Sequence, residues 1–263
     1  MNKKRRSILL IILAISSLNI SFGQQMNMIG PGFGLSDFHI IDEHTSPLIF
    51  RGVGITPSLE YHHWALKSIY SLEGTFYYDN LKSNSGNFNT ENFRAGGRFS
   101  YYHSMMSQTK SRRFMAFVGG SLTSFFCKSD YYFYLQNFWA RSICSWYWGH
   151  SVDLAVMTIF SISDKSSLWA NVTIPVISNV SRPSFSPSGN YNYIKNDWTI
   201  RPFGKTEFVP ENFIINTGLT YQHLLSRKIS FRIKYEFYYL SCSHPESVYL
   251  YMNNFRALLL YCF

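Results

Sequence analysis

The chain has 263 residues, 46% hydrophobic and 15% charged, the proportions of one ordinary domain; a mean hydropathy of -0.09 excludes a bundle of membrane-spanning helices. The formal charge of +9 includes Lys3, Lys4, Arg5 and Arg6, and beyond them no basic run exceeds Lys110–Arg113, which speaks against nucleic acid as a partner. The aromatic share is the outlier: 23 Phe, 19 Tyr and 6 Trp make 18% of the chain, more than a soluble core requires.

At the N-terminus, Lys3–Arg6 forms a positive region and Ile8–Ile15 an apolar one, and Ser21-Phe22-Gly23 puts small residues at −3 and −1 of a cleavage point. The pattern predicts a signal peptide over 1–23 and a mature domain over 24–263, starting at Gln24. An anchor helix would need ~20 apolar residues, more than this run offers, and no Cys stands near the cleavage point to carry a lipid. Export is therefore expected. No later segment is apolar over the length of a membrane helix.

Beyond the leader, alternation recurs. From Ile229 to Tyr239, Ile229, Phe231, Ile233, Tyr235, Phe237 and Tyr239 share one face, while Ser230, Arg232, Lys234 and Glu236 share the other. Only an extended strand, with period two, separates those sets; a helix would mix them. Equivalent patterns predict about ten strands, near 27–40, 48–62, 66–80, 91–106, 113–127, 145–162, 167–180, 212–225, 228–241 and 248–263. Gly30-Pro31-Gly32 disturbs the first. Pro57 and Pro175 cannot complete a ladder hydrogen bond and are expected at bulges or strand ends.

Short connections, 107–112, 163–166 and 225–228, alternate with longer ones, 80–90, 128–144 and 181–211. The last, with Pro183, Pro187, Pro202 and Pro210, would be anomalous inside a compact soluble domain. The asymmetry fits an all-β fold: an up-and-down antiparallel transmembrane β-barrel of about ten strands, with eight to twelve the working range. An even strand number puts both termini on the periplasmic side and the long loops outside.

The C-terminal strand carries the most specific pattern. Counting back, Phe263, Tyr261, Leu259, Ala257, Phe255 and Tyr251 share one face, with Asn253 the exception. This resembles the C-terminal insertion signal of outer-membrane β-barrel proteins of Gram-negative bacteria. The resemblance implies outer-membrane localisation, lipid contact, and handling by the barrel-insertion machinery through Phe255, Leu259, Tyr261 and Phe263. Closure of the last strand on the first is required because an unpaired edge has no hydrogen-bonding partner in lipid.

A ten-stranded interior is narrow, whereas open channels need about sixteen strands. Glu60, Glu73, Arg94, Arg98, Asp153, Arg232, Lys234, Glu236 and Arg256 all fall on inward faces, and their mixed signs predict an ion-pair network filling the lumen. The same residues could instead line a narrow pore for small polar solutes. His103-Ser104 and His150-Ser151, the latter followed by Asp153, carry hydrolase residue types but match no known catalytic pattern; no catalytic residue is assigned. His62 and His63 point to opposite faces and make poor joint ligands, so neither a metal nor another cofactor is expected. Cys127 and Cys144 flank one expected external loop, where a disulfide is feasible; Cys242 could compete, and Cys262 lies at the opposite end. Tyr131, Tyr132, Tyr134, Phe138 and Trp139, then Tyr191, Tyr193 and Trp198, crowd the long loops, either packing over the barrel mouth or offering a contact surface. The expected role is non-enzymatic: a scaffold, adhesion surface or accessory subunit meeting an envelope protein partner.

Overall fold

Period-two patterning commits each segment to a strand with two unlike faces, and strands apolar on one face bury their backbone groups by pairing with neighbours. The structure, a computed structural model, describes residues 26–43, 45–65, 67–85, 88–105, 113–135, 138–139, 143–183, 200–209, 211–243 and 246–263. The expected leader, 1–23, lies outside these residues. The strands are β1 (Met26–Asp42), β2 (Ser46–Ile55), β3 (Ser58–Trp64), β4 (Ser68–Ser83), β5 (Phe88–Ser104), β6 (Phe114–Leu135), β7 (Phe138–Trp139), β8 (Ile143–Ser161), β9 (Ser166–Ser181), β10 (Lys205–Phe208), β11 (Asn212–Leu224), β12 (Ile229–Cys242) and β13 (Val248–Cys262).

These pair antiparallel around a closed ring. β2 and β3 form a single stave between β1 and β4, while β7 and β10 are short additions, which leaves ten staves. β1 pairs with β13 from Met28↔Cys262 to Asp42↔Val248, and Asn27 and Phe263 exchange backbone hydrogen bonds of 2.9 and 3.0 Å at the seam. Among the described residues no helix is long and apolar enough to cross a membrane.

The ring is inside-out relative to a soluble protein. Phe33, Leu35, Leu72, Phe76, Leu122, Val176, Phe255 and Leu259 are exposed on its outside, while Arg94, Arg232 and Arg256 are among the most buried side chains. In water such an exterior would be a continuous apolar surface; in hydrocarbon it is the favourable one. Tyr251, Phe255, Leu259, Tyr261 and Phe263 all lie outside, as the alternation of the last strand predicts. Asn253 is accommodated there by a 2.8 Å hydrogen bond from the Tyr235 hydroxyl.

Both prolines sit where their missing N–H matters least. Thr56 and Pro57 interrupt the second stave without shifting its register. Pro175 borders a bulge, where the β8–β9 register shifts between Val152 and Asp153. On its other side β9 pairs with β11 only up to Thr173 and with β10 only from Ile177, leaving 174–176 without a ladder partner there.

Two of the expected long loops are shorter than their composition suggests. β4 and β5 continue to Ser83 and from Phe88, and β6 and β8 stay paired out to Tyr131↔Ile143. Polar and aromatic residues there remain on the ladder because each backbone group gains a partner by staying. Only the connection between β9 and β11 remains long, and it contributes β10.

Candidate functional site

The chemistry-bearing residues are inside the ring, in three levels between the end carrying Met26 and Phe263 (the terminal end) and the opposite, far end. In the middle lies a charged belt. Glu60 on β3 stands directly across from Glu73 on β4, which in turn faces Arg98 on β5. Two facing carboxylates repel, and the opposite wall supplies the remedy. Lys234 of β12 reaches across the lumen with its Nζ 3.0 Å from Glu60, 2.8 Å from Glu73 and 3.1 Å from Glu236, so its three donors meet three carboxylates.

Arg98 pairs with Glu73 at 2.6 Å and Glu236 at 2.7 Å, and Arg256 with Glu73 at 2.5 Å and also with Glu236. Arg232 completes the set 3.8 Å from Glu60, and it donates to the Nε2 of His62 at 2.6 Å and to Gln222 at 2.9 Å. Seven of the nine sequence-derived lumen residues thus meet in one network, as four cations around three carboxylates.

The other two stand apart. Arg94 pairs with Asp79, whose carboxylate also accepts from Ser36 at 3.2 Å, and its guanidinium lies 3.6 Å over the Phe38 ring and 4.5 Å from that of Tyr77. Gly54 leaves the space for this pair; a Cβ there would collide with the Asp79 carboxylate. Among the described residues Asp153 accepts only from hydroxyls, Ser121 at 2.9 Å and Thr123 at 2.5 Å.

Above and below the belt, apolar clusters share the lumen with buried polar groups, which the simple picture of a polar inner face did not anticipate. Toward the far end Phe38, Phe50, Leu81, Tyr131, Leu240 and Leu250 pack together. Toward the terminal end Met28, Ile69, Phe117, Ile159, Trp169 and Leu260 do the same, with Arg232 4.3 Å over the Trp169 ring. Side chains of a narrow barrel meet one another across the axis and so can form such a core. Beside Arg98, Glu73 and Glu236 a cavity of about 50 Å³ remains, and beside Asp153 another of about 20 Å³; a more open hollow of about 540 Å³ is lined by the outward Leu72, Phe99, Leu122 and Val152 and reaches Arg98 and Ser151.

Sequence reasoning missed three participants. Asp79 lies on an alternating face with Glu73 and was legible as inward; its bond to Arg94 was not. His62 is inward, 3.0 Å from Glu60, while His63 on the other face binds Asn27 at 2.8 Å, so the two histidines do diverge. At the far end Asp42 holds Arg182 at 2.9 Å and Ser145 at 2.5 Å, and no local signal marks that triad.

The two His-Ser pairs are divided by the alternation of their strands. His103 sits on the outward face and Ser104 is buried on the inner one; His150, on the outward side of the alternation, donates to the Pro202 carbonyl at 2.7 Å, though both it and Ser151 border the Asp153 cavity. Neither pair forms a dyad. No disulfide joins the four cysteines, and the Cys242 thiol donates to Glu207 at 3.7 Å. The disulfide suggested for Cys127 and Cys144 is not formed, because the register sets Cys127 opposite Tyr147 and Cys144 opposite Asp130. Of the loop aromatics, Tyr131 packs inside and Tyr132 faces out, hydrogen-bonding Glu91 at 3.3 Å. The side chains of Tyr134, Phe138 and Trp139, and all of Tyr191, Tyr193 and Trp198, lie outside the described residues.

No protein-family model and no curated protein matches this sequence. Among solved structures, the outer membrane protease OmpT of Escherichia coli superimposes with a TM-score of 0.50 at 7% identity, covering 94% of this chain and 99% of that one. The β domain of the Bordetella autotransporter BrkA (TM-score 0.43, 10% identity, 89% and 99% covered) and the Neisserial surface protein NspA (0.38, 8%, 89% and 96%) are weaker likenesses. The OmpT superposition speaks to fold alone: this chain has the fold of the outer-membrane β-barrels.

Proposed function

We propose that this chain is an integral outer-membrane barrel with a sealed lumen, acting as a scaffold, adhesion surface or accessory subunit in the cell envelope rather than as a conduit or an enzyme. The observation that carries this reading is the occluded interior. A buried ion cluster is flanked on both sides by apolar side chains, and the cavities beside Glu73 and beside Asp153, of about 50 and 20 Å³, hold only a few waters. With transport set aside, the parts left to act are the exterior and the far rim. Short turns then face the periplasm, and the connection between β9 and β11 faces outside.

A second reading, a narrow channel for small anions, draws on the excess of cations in the belt and on Arg98, 13% exposed at the larger cavity. That OmpT is a protease suggests a third, a hydrolase, but neither His-Ser pair gives it a dyad. Planar-bilayer recording separates the first two. The sealed barrel gives a silent membrane at high protein load, whereas stepwise, anion-preferring openings would establish the channel. Turnover of peptide or phospholipid by the purified protein would restore the hydrolase.

A further inference from the structure

Every buried carboxylate of the belt and of the far-end triad has a basic side chain against it. Asp153 does not. It is 6% exposed, and no ion pair among the described residues includes it. Its two hydrogen bonds, from Ser121 and Thr123, both go to Oδ2, so Oδ1 has no protein donor among the described residues. The Arg98 guanidinium, which shares a cavity lining with Thr123, is held by Glu73 and Glu236. A buried carboxylate without a countercharge is costly.

The carboxylate lines a built chamber. Its cavity of about 20 Å³ admits one water-sized occupant. Asn216 and Asn212 line it too: the Asn216 Oδ1 is buried without a donor, and Asn212, 1% exposed, has an Nδ2 without an acceptor. Turning the Asn212 amide over would present its oxygen instead and give up only a 3.4 Å contact with the Tyr147 hydroxyl. Thr173 and Ser178 line it as well, beside the apolar Phe125, Ile214 and Tyr238. The chamber also adjoins the lapse in the β9–β11 ladder at Pro175, where the wall is least regular.

We propose that this chamber binds one small monovalent cation, with the Asp153 carboxylate as countercharge and the Asn216 side-chain oxygen as a neutral ligand. One carboxylate balances a single positive charge. A calcium ion would ask for six to eight oxygens and more negative charge than the site holds. Sodium is the probe. The ion ties β8, which carries Asp153, to β11, which carries Asn216, over the intervening β9 and beside its stretch 174–176 that lacks a β11 partner.

The test uses the full chain folded in detergent micelles. Its unfolding midpoint is followed by heat-modifiable migration in sodium chloride and in choline chloride at equal ionic strength, with ²³Na line broadening as a direct readout. Sodium should raise the midpoint saturably relative to choline and show broadened exchange. Asp153→Asn should remove both effects while folding normally, since it is isosteric. Should that variant not fold, Asn216→Leu should still fold and raise the half-saturating sodium concentration roughly tenfold, the equivalent of about one lost ligand. Equal midpoints in the two salts with no line broadening would mean that only water occupies the chamber and would overturn the proposal. So would a sodium effect that persists undiminished in either variant.

Discussion

Replacing Lys234 with methionine asks what the belt contributes. The side chain keeps its length and loses its charge, so packing changes little. Its Nζ is the one group within 3.1 Å of all three carboxylates. Glu73 and Glu236 would keep Arg98 and Arg256, but Glu60 would keep only two guanidinium contacts at 3.8 Å and the bond to His62. The loss therefore falls on Glu60, which is 1% exposed and faces Glu73 across the strand pair. Breaking a buried pair by removing one partner costs about 3–5 kcal/mol, or roughly 10²–10⁴-fold in the folding equilibrium. Urea titration of folding into lipid vesicles, with folded and unfolded bands resolved on a gel, measures this directly. Adding Glu60→Gln to the Lys234→Met chain should recover most of the loss. A Lys234→Met change below about 0.5 kcal/mol, the size of an exposed pair, or no recovery in the double variant, would refute the reasoning.

Leu122, 57% exposed on the outer face, should tolerate Leu122→Arg poorly, at about 2–4 kcal/mol if it lies near the bilayer midplane; unchanged urea midpoints in vesicles would argue against its lipid contact. Gly54→Val should cost about 3 kcal/mol by driving a side chain into the Asp79 carboxylate and parting it from Arg94, and wild-type stability would contradict that packing. With no disulfide among the four cysteines, the folded protein should migrate and melt identically with and without reducing agent, whereas a reductant-sensitive band would reveal a disulfide the register does not permit.

The strand faces were legible because lipid imposes a simple rule: one face must be apolar over the whole membrane span. Ile229 to Tyr239 and Phe255 to Phe263 display it plainly, and the inward assignments of Glu60, Arg98, Lys234 and Arg256 followed from it. The same rule is silent about the interior, where polar and apolar side chains are both allowed. Tyr77 and Tyr78 point in opposite directions with no chemical contrast between them, so the aromatic layers above and below the belt left little trace in the pattern. Which charges meet depends on the stagger of the closed ring, which brings Lys234 to Glu60 across 174 residues of sequence. The Asp42–Arg182 pair depends besides on where a long connection returns to the rim. Loop lengths were overestimated at 80–90 and 128–144 because composition reports polarity, while ladder pairing there persists beyond the apolar stretch.

The central claim is a sealed barrel, apolar outside and filled inside, and spin-label accessibility along β13 tests it most directly. Labels placed singly at Ala257 and Leu259 in a cysteine-free chain reconstituted in vesicles should collide with oxygen and not with a water-soluble nickel chelate. Labels at Leu258 and Leu260, buried at 1% and 0% exposure, should collide with neither. Chelate access at those inward positions would mean an open, water-filled lumen, and loss of the alternation altogether would mean that the strand does not face lipid.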